Sequence, residues 1–194
     1  GTTGLATINS GGVLDLNGQS STSSISLSGT GISSAGALIN SSATAATQSG
    51  NVTLAGPTSI GGTGNITISG IISGSNALTK VAANTLTLSG ANTYTGSTTI
   101  SAGTLQLNPG GTISSSSSII NNAALVYANN IVNTANGVTG SGTIGVNSGS
   151  TLKLTGALGT TGLVTIKTGG VLDLNGQSSN SPISLSGPGT SSAG

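Results

Sequence analysis

The opening of this chain comes back at its close. Residues 1–36 read GTTGLATINSGGVLDLNGQSSTSSISLSGTGISSAG. Residues 159–194 read GTTGLVTIKTGGVLDLNGQSSNSPISLSGPGTSSAG, identical at 29 of 36 positions at an offset of 158. Self-similarity at a fixed period marks arrays rather than ordinary globules. The pattern is that of one long period plus an overlap, so residues 1–194 read as one continuous segment of a longer array.

A shorter beat runs inside the long one. Apolar–x–apolar triplets begin at Leu86, Leu105, Leu125, Ile144 and Val164. Their even spacing, about 20 residues, is in the range of solenoid repeats. A second series is expected at Thr98–Ile100, Ser118–Ile120, Leu152–Leu154 and Leu172–Leu174, with one irregular turn inside it. Alternate side chains of a strand point to opposite sides, so Leu86 and Leu88 would face a core and Thr87 water. One coil of about 20 residues cannot bury that face alone; a stacked neighbour buries it and bonds its backbone. The fold class predicted is all-β, a parallel β-helix (solenoid) with about 20 residues per turn. At about 4.8 Å between strands, one long period is expected to take about eight turns and the chain about ten.

Composition fits a thin tube better than a wide globule. Charged residues make up 3% of the chain, there is no Phe, Trp or Met, and Tyr94 and Tyr127 are its aromatics. Small aliphatics fill a narrow core. Disorder is excluded by the positive mean hydropathy of +0.27 and the net charge of +1, since disordered chains combine low hydropathy with high charge. Sharp corners are expected at Gly11–Gly12, Asn17–Gly18, Gly61–Gly62, Gly110–Gly111, Asn136–Gly137 and Asn175–Gly176, where Gly and Asn tolerate positive φ. Three prolines are expected in turns. Pro182 is expected to open a strand, a position that tolerates proline. Almost no helix is expected, and residues 29–50 are the least regular stretch.

Residues 78–108 read LTKVAANTLTLSGANTYTGSTTISAGTLQLN. This segment resembles the passenger-associated repeat of bacterial autotransporters, the type V secretion family. The shared features are Leu-Thr-Lys, Thr-Leu-Thr-Leu-Ser-Gly, Ala-Asn-Thr-Tyr-Thr-Gly, Thr-Thr-Ile and Gly-Thr-Leu-Gln-Leu. Gly-Gly-Val-Leu-Asp-Leu-Asn-Gly, present twice, is similar to passenger sequence as well. The resemblance implies a right-handed coil and a location that is secreted or on the cell surface of a bacterium, with the repeat assisting folding and export. The family's membrane barrel and a signal peptide are not found in these residues, and are expected outside this stretch if the protein uses that route.

Catalysis has little raw material. There is no His, Cys, Glu or Arg, and the acids are Asp15 and Asp173. Glycosidase chemistry needs two carboxylates within about 10 Å. These two are one residue in two copies, each expected between core leucines and pointing to solvent. A serine nucleophile needs a base, and a nucleic-acid site needs a basic patch; Lys80, Lys153 and Lys167 are scattered and are expected to be solvated. The tyrosines are expected to pack at turns. Ice binding would need one outward Thr ladder, but the outward series reads Thr87, Gln106, Val126, Gly145. No catalytic, cofactor-binding or metal-binding residue is therefore assigned, and no cofactor. No stretch here is apolar enough to span a bilayer as a helix, so no membrane contact is expected from it.

The function expected is non-catalytic: an extracellular structural rod or filament. The alternative is an autotransporter adhesin passenger that attaches cells to surfaces, with a cell-surface or glycan target. The partners expected are copies of the chain itself, head to tail because open solenoid ends can pair, and side by side because the surface carries little charge.

Overall fold

The computed structural model describes residues 5–128 and 130–186. The outermost residues of the two copies, 1–4 and 187–194, lie outside the described residues, and so does Pro188.

The apolar–x–apolar triplets become short strands, and the pairings between them are parallel. The chain visits three faces in a fixed order and then climbs to the next coil. The first face carries Ala6–Ile8, Ile25–Gly29, the start of Val52–Gly62, Ile72–Ser73, Val132–Ala135, Thr151–Leu154 and Val171–Asp173. Between Ile72 and Val132 this face is irregular, but coil-to-coil bonds continue, as from Thr93 N–H to the Ile72 carbonyl and from Ser117 N–H to the Thr95 carbonyl. The second face carries Leu14–Asp15, Leu38–Asn40, the end of Val52–Gly62, Leu78–Lys80, Thr98–Ile100, Ile119–Asn121, Val138–Gly140 and Leu158–Thr160. The third runs from Ser20–Ser21 through Ala46–Gln48, Ile66–Ile68, Thr85–Leu88, Thr104–Leu107, Ala124–Tyr127, Thr143–Val146 and Val164–Lys167 to Ile183–Ser186.

The third face carries out the first predicted beat in register: Leu86 pairs with Leu105, Leu105 with Leu125, Leu125 with Ile144 and Ile144 with Val164. Leu86, Leu105 and Leu125 are fully buried in one continuous aliphatic column. The outward series of Thr87, Gln106, Val126 and Gly145 is also in register. The second series divides between two faces. Thr98–Ile100 lies on the second face and pairs with Ile119–Asn121, one residue on from the expected Ser118–Ile120, while Leu152 and Leu172 lie on the first face. Asn121 turns inward there, and Ile120 outward.

The described residues make nine coils, about 40 Å of rod at the usual strand spacing, against the ten expected for the chain. The long period is not a whole number of turns either. Ala6 is on the first face, and its copy Val164 is on the third. The path between them passes through seven full turns and two further faces, so the long period makes seven and two-thirds turns. Uneven corners cause this. Over most of the rod, paired residues on adjacent coils keep the spacing of about 20 residues expected of a solenoid. Ile25, however, pairs with Val52, a longer step. The extra residues form the excursion at 30–37, with a single 3-10 turn at Ile32–Ser34. Pro57 is a further correction. It stands inside Val52–Gly62, where the strand crosses from first face to second beside a register shift at Leu27/Gly29; its side chain faces out.

Candidate functional site

Lys80 is not solvated. It is 1% exposed, in the inward column of the second face between its partners Ile60 and Ile100. Its ammonium reaches the corner after the strand and donates to the carbonyls of Val81 (2.6 Å), Ala82 (2.8 Å) and Ala102 (3.3 Å). Corner carbonyls have no ladder partner, and a buried acceptor left without a donor is costly. Burial pulls the Lys80 pKa down to about 8. Asn121 and Thr160 serve the same corner on later coils, donating to the carbonyls of Thr143 and Gly142. Alternation could have placed Lys80 from sequence: in Leu78-Thr79-Lys80 it shares the side of Leu78.

Tyr94 and Tyr127 are both fully buried. Tyr94 lies on the irregular part of the first face, where its backbone follows Ile72 of the coil before, and its ring enters the core rather than packing at a turn. Its phenol meets Thr98 Oγ1 at 2.7 Å, and Thr98 Oγ1 meets Ser116 Oγ at 2.9 Å. Ser116 donates to backbone carbonyls of Gly96 and Ser118, so its oxygen accepts from Thr98, which in turn accepts from Tyr94. Tyr127 ends a strand rather than a turn, and its hydroxyl has no partner. Burial holds both phenols well above the usual range; for Tyr127 repulsion from Tyr94 adds to it.

Asp15 and Asp173 each accept a bond at 2.9 Å from the backbone two residues on, Asn17 N–H and Asn175 N–H. Asp15 also accepts from Ser41 of the next coil, from Oγ at 2.5 Å and from N–H at 3.0 Å. The Ser41 hydroxyl, aided by the two backbone donors and opposed by slight burial, holds its carboxyl below the ordinary carboxylate value. Asp15 is exposed and Asp173 half-buried, on the second and first faces, with almost the whole rod between them. Lys153 is half-buried, and Lys167 is exposed as expected. Among the described residues no three acidic, His or Cys side chains gather where a metal could sit.

The two copies share an internal register. Ala6 pairs with Ile25 as Val164 pairs with Ile183. Their burial is opposite. Ile25 and Leu27 are 1% and 0% exposed; Ile183 and Leu185 are 44% and 65%. The first pair lies under Val52 and Leu54. Three exposed large apolar side chains, Val171, Ile183 and Leu185, thus share the one coil of residues 171–186.

Residues 78–107 match the passenger-associated-transport-repeat family. The match spans five consecutive faces, from Leu78–Lys80 to Thr104–Leu107. Within it Leu78, Lys80, Leu86, Leu88, Tyr94, Thr98, Ile100, Leu105 and Leu107 are all buried. The matched stretch thus consists of core, corner cap and phenol network, with no cluster of exposed reactive groups. No curated protein and no solved structure matched the chain.

Proposed function

We propose that this chain is a length of a bacterial passenger rod, carried outside the cell, and that it acts mechanically rather than catalytically. The observation that carries the reading is the match at residues 78–107, set within an aliphatic column that runs unbroken from Leu16 to Ile166. Side chains that would be reactive in another protein are used here to close the core: Lys80 caps a corner, and Tyr94, Thr98 and Ser116 bond one another. The two carboxylates lie on different faces with almost the whole rod between them, and the register neighbour of Asp173 is Lys153 rather than a second carboxylate, which supports a role without catalysis.

An adhesin role rests on the excursion at residues 30–37. It departs from the coil, shows Ile32 at 67% exposure, and holds Ser33 and Ser34 at positive φ. Such a loop on a rigid scaffold suits recognition.

Antibody raised against the purified chain should label intact bacteria of the source strain without permeabilisation; labelling only after lysis would overturn the extracellular reading. Incubation with a panel of polysaccharides should release no reducing ends. Binding to host cells or glycans that is lost when residues 30–37 are shortened to Gly-Gly would move the reading to the adhesin.

A further inference from the structure

Among the described residues four buried polar atoms have no hydrogen-bond partner: Gln48 Oε1, Asn84 Oδ1, Asn133 Oδ1 and the Tyr127 hydroxyl. The three amides are already half used. The Gln48 amino group donates to the Ser23 carbonyl at 2.7 Å, that of Asn84 to the Gly64 carbonyl at 2.7 Å and that of Asn133 to the Gly111 carbonyl at 2.6 Å. Tyr127 has one polar group, a hydroxyl able to donate, and it is fully buried with no acceptor in reach. An unpaired buried donor is costly, and protein interiors pair almost all of theirs, with other protein groups or with ordered water.

The coil of residues 110–128 turns Ile113, Ser116, Ile119, Leu125 and Tyr127 into the core. Tyr127 comes from the third face, in register between Leu107 and Val146. Ser116 stands just before the second-face strand Ile119–Asn121, at the end of the first-face stretch. In a three-faced coil that corner lies across the core from the third face. Tyr94 and Thr98 sit one coil earlier, and their hydroxyls run into Ser116, with 2.7 Å from Tyr94 to Thr98 and 2.9 Å from Thr98 to Ser116. The two phenols are near neighbours, since charge on Tyr94 raises the pKa of Tyr127. The inward side chains around Ser116 are small. Ala135, buried on the next coil, adjoins Asn136, which donates to the Ser116 carbonyl at 2.8 Å.

This hydroxyl chain has acceptors to spare. A hydroxyl offers one donor and two acceptor sites. Tyr94 donates to Thr98, Thr98 to Ser116 and Ser116 to a carbonyl, so the Tyr94 oxygen accepts nothing and the Ser116 oxygen accepts from Thr98 alone. Tyr127 needs an acceptor, and none of these oxygens is within its direct reach. A molecule that accepts from Tyr127 and donates onward joins the two. We propose that one buried water does this, accepting from the Tyr127 hydroxyl and donating to the oxygens of Tyr94 and Ser116. About three bonds is the usual complement of a buried water. The site lies where the fold needs a tie. Between Ile72–Ser73 and Val132–Ala135 the first face has no strand among the described residues. Side-chain bonds between coils stand in for the ladder there, such as Ser115 Oγ to the Tyr94 carbonyl at 2.8 Å. The water carries that tie across the core to the third face. Ser116 and Tyr127 lie outside the matched residues 78–107, so the site is not a property of the matched repeat.

A crystal structure of the full chain, at a resolution that shows ordered water, tests this directly. The expected map has one water within hydrogen-bond distance of the hydroxyl oxygens of Tyr127, Tyr94 and Ser116. Urea unfolding of Tyr127→Phe gives an independent sign. The variant keeps the ring, so packing is retained. If the hydroxyl is bonded to water, phenylalanine removes a bond and the urea midpoint falls below that of the unaltered chain. If the hydroxyl is dry and unpaired, phenylalanine removes a penalty and the midpoint rises. A raised or unchanged midpoint would overturn the proposal, and so would a map in which Tyr127 bonds directly to protein or faces no density.

Discussion

Residues 5–29 and 163–186 are nearly one sequence in two situations. Both form the same pair of stacked strands. The first copy has its later strand covered and its earlier strand open, with Leu5 60% exposed; the second has Val164 buried and Leu185 65% exposed. Register within a copy is thus local, set by where the apolar–x–apolar triplets and glycine corners fall. Burial is not local. It is set by which coil lies above and which below. Identical residues therefore carry different free energies, and substitutions in the two copies should separate the two contributions.

The largest expected effect comes from truncating the covered leucine. Leu27→Ala leaves a cavity in a closed column and should cost about 2–5 kcal/mol, read by urea unfolding. Leu185→Ala removes the same atoms from an open surface and should stay within about 0.5 kcal/mol. Equal losses would mean that residues 183–186 are covered in solution.

A second comparison sets the lysine added in the second copy, Lys167, against Lys80 in the interior. Lys80 has a folded pKa of about 8 against an ordinary 10.5. Between those values the unfolded chain holds the Lys80 proton and the folded chain does not, so this group makes stability rise with pH from about 8, by about 1 kcal/mol per pH unit at most, until the buried phenols of Tyr94 and Tyr127, held above their ordinary value, reverse the slope as the unfolded chain loses their protons. Below pH 8 this group adds no slope. Melting curves across that window should lose the rise in Lys80→Met.

Smaller effects are expected at the paired glycines. Gly18 and Gly176 both have φ of 75°, so alanine should strain each by about 1–2 kcal/mol. Gly18→Ala should cost measurably more because its methyl meets Ser42. Equal costs would remove packing from the account. The smallest effect is expected at the aspartates. The Ser41 bonds give Asp15 a depressed pKa, so their stabilisation is present above the ordinary carboxylate value and is lost as pH falls through the folded value. Exposure keeps it small. Asp15→Asn should flatten the acid limb of a melting-temperature profile slightly; an unchanged limb would remove the Ser41 bonds from the account.

Much of this architecture is legible in the amino-acid order. Leu86, Leu105, Leu125, Ile144 and Val164 have to share one face, because no other arrangement buries so regular a set of aliphatics. Corner glycines such as Gly11, Gly18 and Gly110, all at positive φ, are visible as such, but Gly61 and Gly62 end a strand that pairs with Ile39 and Asn40, and Tyr94 enters the core from the irregular first face. Lys80 escapes a sequence reading that weighs charge above alternation. Pro57 escapes it because a proline inside a strand is ordinarily excluded by its missing N–H, and here the strand is crossing a corner.

The sequence by itself determined that the chain coils, that aliphatics form its axis, and that its two ends are one motif. Only the tertiary structure decided the phase. Corners of unequal length add residues without adding a face, so residue counts overstate turns, and only strand pairing shows that Ala6 and Val164 stand on different sides of the rod. The same holds for Lys80. An alternating pattern says which way a side chain points, but whether a cation can stay there depends on carbonyls brought to it from its own corner and from the next coil.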